Sequence, residues 1–142
     1  MVQHGTRGPG FTTPPDIADI EALAERALGA IPERLRRHVG GVGIRVEEMA
    51  DDETLDDLDI ESPWDLTGLY HGTPLNQRSV DDIARLPDLI FLYRQPILGE
   101  WIETGEDLYR LVASVLIHEI GHHFGFSDAD IEAIEREMGQ AI

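Results

Sequence analysis

The sequence predicts an α+β fold: a small mixed β-sheet packed against one long helix near the C-terminus, with an N-terminal helix before it and a short C-terminal helix after it. Three observations carry that expectation. Apolar residues recur at helical spacing at both ends of the chain. Three short strand-like runs lie between them. One helical run then changes from apolar to ionisable side chains in its last two turns.

Taken in order, residues 1–15 are rich in Gly, Thr and Pro and read as a flexible N-terminal arm, leaving 16–142 as a single domain. Asp16 opens an amphipathic helix carrying Ile17, Ile20, Leu23, Ala24, Ala27 and Leu28, and Gly29 ends it. Pro32 fits the first position of a short helix through Arg37. After the Gly40-Gly41 turn, Val42, Ile44 and Val46 alternate with Gly43, Arg45 and Glu47, which predicts a strand with one buried face. The acidic run from Glu47 to Glu61 reads as a solvated loop or irregular turn pinned by Leu55, Leu58 and Ile60, with an electrostatic guide for basic peptides as its functional alternative. Leu66, Gly68 and Tyr70 alternate in a second strand closed by Gly72-Thr73-Pro74, and residues 78–85 read as a loop or a short turn of helix. Leu89 to Tyr93 is a continuous apolar strand between Pro87 and Pro96, and Pro96 to Ile102 is expected to link it to the long helix. Asp130 to Met138 forms the closing helix, with Ile131, Ile134 and Met138 inward.

The long helix carries the chemistry. Thr104 with Asp107 reads as its N-cap pair, and Gly125 suits the left-handed residue that ends it. At about 100° per residue, Leu108, Leu111, Val112, Val115, Leu116 and Ile120 share one apolar arc, with Glu106 and Arg110 opposite. His118 and His122 sit at the edge of that arc, and Glu119 and His123 fall inside it. Two histidines at i and i+4 leave one face a turn apart, so both rings can meet one zinc at about 2.0–2.1 Å. Glu119 lies beside the open coordination position, where it can take a proton from water. A buried carboxylate beside imidazoles is costly, and a bound cation compensates it. The bland alternative is a pair of satisfied or solvated histidines.

Asp128 has two compatible readings. It can return as a third ligand, or serve as an acidic first-turn residue of a helix capped by Ser127 with Asp130. His123 points well away from the His118–His122 edge and reads as a packing or supporting residue.

Composition excludes several classes. The 142 residues suit one domain, and 11 basic against 28 acidic residues give a net charge of −17. Such a chain is not expected to bind nucleic acid or an anionic membrane, because phosphates are neutralised by clustered Lys and Arg. With no cysteine, disulfides and thiolate metal sites are impossible, which suits a cytoplasmic location. No signal peptide and no run of about 18 apolar residues is expected to direct the chain into a membrane. Oligomeric state is left open.

The extended motif His118-Glu119-Ile120-Gly121-His122-His123-Phe124-Gly125-Phe126-Ser127-Asp128 resembles that of the small bacterial zincin-like metallopeptidases, HExxHxxGxxD of the Asp-zincin type. Residues 24–35, 69–74 and 86–98 follow in the family's order, so the resemblance spans roughly 17–137. It implies a compact zincin-like fold with His118, His122 and Asp128 holding one Zn2+ and Glu119 as general base. It further implies a zinc-dependent metallopeptidase acting on a peptide or protein substrate through a zinc-activated water. His71, Tyr70 and Tyr93 are candidate oxyanion donors, and Leu89–Tyr93 is a candidate edge for β-addition of substrate. One departure stands out: the only methionine after the motif, Met138, falls within the closing helix rather than in a turn beneath the metal, and little chain remains to build subsites. A non-catalytic metal-binding or protein-interaction module on the same frame is the alternative.

Overall fold

A capping box starts the first helix. In the computed structural model, which describes residues 11–37, 39–72 and 88–141, the N–H of Asp19 donates to the Asp16 side chain and the N–H of Asp16 donates to that of Asp19. Two orphan donors are thereby satisfied, and α1 (Ile17–Ala30) buries Ile20, Ala24 and Ala27 against the motif helix. A single turn, α2 (Glu33–Arg36), follows. Pro32 stands one place earlier than expected, as its N-cap. Before α1, Pro15 is fully buried and its carbonyl accepts from Arg94 Nε at 2.6 Å, while the exposed Phe11 meets Trp101 edge-on.

Among the described residues the sheet has three strands, β1 (Gly43–Glu47), β2 (Gly68–His71) and β3 (Leu89–Tyr93), in the order β1-β3-β2. β1 runs parallel to β3 and β2 antiparallel to it. The expectation that Leu89–Tyr93 forms an edge is therefore corrected: it is the central strand. Its neighbours β1 and β2 take up its backbone hydrogen bonds on both edges, and its two apolar faces are covered separately. Ile90 and Leu92 are fully buried on the helix side, while Phe91 and Tyr93 join a second small core with Ala50 and Leu55.

That second core corrects the acidic segment as well. Residues 52–57 form a helix, α3 (Asp52–Asp57), whose N-cap Asp51 accepts from the N–H of Thr54 at 2.8 Å. Acidic residues in a first turn favour the helix through its dipole, and Leu55 buries itself under the sheet. A 3-10 turn at Pro63–Asp65 leads into β2. The expected link after Pro96 is also helical, α4 (Arg94–Thr104). Pro96 sits in its first turn, where a missing N–H costs nothing.

The motif helix α5 (Leu108–His123) is capped by Asp107, which accepts from the N–H of Arg110 at 3.1 Å. Thr104 has another task. Its hydroxyl donates to the Glu100 carbonyl and accepts from the N–H of Glu106, finishing α4. The last helix, α6 (Asp128–Ala141), begins two residues before the expected start and buries Ile131, Ile134 and Met138. No helix among the described residues is long and apolar enough to cross a membrane. The expected turn at residues 73–74 and the expected loop or helix at 78–85 lie outside the described residues.

Candidate metal centre

The site sits where α5 stops being core. Leu111, Val112, Leu116, Ile117 and Ile120 are at most 2 % exposed, whereas the His118 and His122 side chains are 41 % and 58 % exposed. Two close approaches fix its walls. A Cβ on Gly121 would lie 2.6 Å from Ile131 Cγ1, so the glycine lets α6 press directly on the motif. A Cβ on Gly68 would lie 2.7 Å from Val115 Cγ1 and 3.3 Å from Glu119 Cγ, so β2 lies directly over the helix beside the carboxylate. The helix then closes as expected at Gly125, with φ +77°, and the Phe126 N–H donates to the Gly121 carbonyl at 2.8 Å.

His118 is oriented by its own helix. Its Nδ1 lies 2.8 Å from the Ser114 carbonyl oxygen, which can only accept, so Nδ1–H donates and Nε2 is the ring nitrogen left to meet an ion. That Nε2 stands 3.9 Å from Glu135 Oε1, and His122 Nε2 stands 3.9 Å from Asp128 Oδ1. The two rings are 6.1 Å apart between centroids. Ligand atoms sharing one tetrahedral zinc at 2.0–2.1 Å lie about 3.3 Å from each other. Each histidine–carboxylate pair is thus about half an ångström wider than a shared ion would hold it. No three His, Asp or Glu groups among the described residues already converge on one point. The donor chemistry fits zinc: two imidazoles one turn apart, one with its tautomer set by a backbone carbonyl, each facing a carboxylate.

Glu119 lies against the sheet. The Tyr70 N–H, on the edge strand β2, donates to Glu119 Oε1 at 3.3 Å. Burial pushes the Glu119 carboxyl above its ordinary value, and the Tyr70 N–H and the two nearby histidines pull it back in part.

Strand alternation sorts the three candidate oxyanion donors. Tyr70 faces α5, where its ring stacks on His123 at 3.8 Å and its hydroxyl donates to Asp88 Oδ2 at 2.9 Å. His71 and Tyr93 belong to the opposite face, beside Phe91. Burial, with Glu47 and Asp51 nearby, pushes the Tyr93 phenol up to about 12. His123 packs between Tyr70 and Phe124, away from the His118–His122 edge. Asp128 is 91 % exposed in the first turn of α6, whose capping box is the expected pair: the Asp130 N–H donates to Ser127 Oγ and the Ser127 N–H to Asp130 Oδ2.

Sequence reasoning missed Glu135. One signal was available, because Glu135 follows Ile131 by one helical turn and so borders the inward face of the closing helix.

A small α+β domain whose two-histidine helix is crossed by a mixed sheet has the frame of a metallopeptidase. The comparison with known families agrees. A family model described as zincin-like metallopeptidase matches residues 39–138, and the chain belongs to that family. No curated protein matches it.

Proposed function

We propose that the protein is a zinc-dependent peptidase in which His118, His122 and Asp128 hold one zinc and Glu119 is the general base. The observation that carries this reading is the half-buried Glu119 carboxylate beside two outward-facing imidazoles, on a helix of the zincin-like family. Zinc, when bound, supplies Lewis acidity and lowers the pKa of a coordinated water to about 7.

The residues of the chain do the rest. The Ser114 carbonyl holds His118 in the tautomer that offers Nε2. The Tyr70 N–H fixes one oxygen of Glu119, leaving Oε2 to receive the proton of the attacking water. Burial raises the basicity of that carboxylate toward the working pH, which suits a group that must take a proton and later return it to the leaving amine. A peptide or protein chain is the substrate, as the family implies.

The test is Glu119→Gln in the full chain. Zinc content measured by mass spectrometry is expected to be retained. Cleavage of a peptide library is expected to fall by about 10²–10⁴-fold, the usual share of a general base. Zinc at one equivalent in the wild type with no cleavage of any peptide would favour a metal-binding module without turnover. Undiminished cleavage by the Gln variant would remove Glu119 from its role.

A further inference from the structure

The geometry points to Glu135 as an additional protein ligand of the same ion, bound through Oε1 on the His118 side. This rests on the zinc reading above and goes beyond the HExxHxxGxxD motif. The first argument is geometric. Nδ1 of His118 faces the Ser114 carbonyl, so Nε2 is the ring nitrogen turned toward Glu135 Oε1, 3.9 Å away. A gap of that width is too long for a direct hydrogen bond and only about half an ångström wider than two ligands of one zinc stand apart. His122 Nε2 and Asp128 Oδ1 stand at the same separation, so one divalent cation can draw in both pairs, and two carboxylates neutralise its charge.

The second argument is order. Asp128 and Glu135 stand at the same 3.9 Å from their imidazoles, but the Glu135 side chain is 32 % exposed and that of Asp128 91 %. Glu135 rises from the part of α6 anchored by the buried Ile131, Ile134 and Met138, so less side-chain freedom is lost when it binds. With His118, His122, Asp128 and Glu135 all bound, the sphere is closed in the manner of structural zinc sites, and the position needed for water opens only when one carboxylate withdraws. Glu135 would thus set both how tightly the ion is held and how readily the site admits water.

The experiment compares wild type, Glu135→Gln, Glu135→Ala, Asp128→Ala and His122→Ala, each as the full chain. Zinc affinity is read by competition with a chromophoric chelator, and ligand geometry by the visible absorption of the cobalt(II)-substituted protein. Wild type is expected to bind one equivalent, and both Glu135 variants to bind at least about tenfold more weakly. Their cobalt spectra are expected to shift and to respond to added thiocyanate, which the wild-type spectrum resists. If Glu135→Ala weakens binding more than Asp128→Ala, the assignment is strengthened. If Glu135→Gln keeps its affinity within twofold and its cobalt spectrum superimposes on wild type, Glu135 is not a ligand, while loss of zinc in His122→Ala would leave the parent reading standing. Failure of wild type to bind zinc would overturn both.

Discussion

The two halves of α5 obey different rules. From Leu108 to Ile117 the helix is buried almost all round, with Tyr109 and Ala113 covered as well as the expected arc. From His118 to His123 it carries four ionisable side chains, and His118, Glu119, His122 and His123 are all at least partly open. The first half has no chemistry and many neighbours; the second has chemistry and few. The contrast teaches that the core turns act as a fixed mount. Their close packing against α1, β2 and α6 holds the backbone of the next two turns at a set distance from β2 and α6. Two hydrogen bonds then aim the polar turns, one from within the helix at the Ser114 carbonyl and one across from the sheet at the Tyr70 N–H.

That contrast can be broken from either side. The largest stability effect is expected in the mount. Leu116→Ala removes a fully buried side chain and should cost about 2–5 kcal/mol in urea denaturation, while the fraction that remains folded keeps its zinc stoichiometry. A loss of metal in step with stability would mean the two halves are not separable.

A smaller effect is expected at the seam. Gly68→Ala forces a Cβ into Val115 Cγ1 and toward Glu119 Cγ, so it should cost about 1–3 kcal/mol and also lower peptide cleavage by moving the Tyr70 N–H off Glu119. Destabilisation with unchanged turnover per folded molecule would show that the N–H contact does not aim the carboxylate.

The smallest effect lies on the far side of α6. The Arg34 guanidinium beside Glu137 holds that carboxyl below its ordinary value. A lowered folded-state value contributes stability above the unfolded value, near 4.5, and loses it as the pH falls through the folded value. Glu137→Gln should therefore be marginally less stable than wild type at pH 7 and indistinguishable from it in strong acid. Both side chains are about half exposed, so added salt should shrink the gap at pH 7. A gap that grows on acidification would reverse the sign.

Much of this was legible in the chain. Local rules wrote the helix start at Asp16, the left-handed end at Gly125 and the Ser127–Asp130 cap, because each depends on residues within a few positions of one another. The pairing of His118 with His122 followed from helical spacing alone. Other elements were misread where a local pattern had two solutions. The acidic segment around Leu55 became a helix because Asp51 found the Thr54 N–H and the sheet offered Leu55 a floor. Thr104 was drawn into the end of α4, a helix that the Pro96 signal had concealed.

By itself, then, the sequence determined the identity of the motif side chains, the face of the helix they share and the family to which the chain belongs. Tertiary structure alone decided that β3 is central, that Tyr70 rather than His71 or Tyr93 shares the face of Glu119, and that Glu135 stands opposite His118. Strand order and helix docking are set by which surfaces bury one another. A residue seventeen positions away on another helix enters the site only through that packing, which no local spacing records.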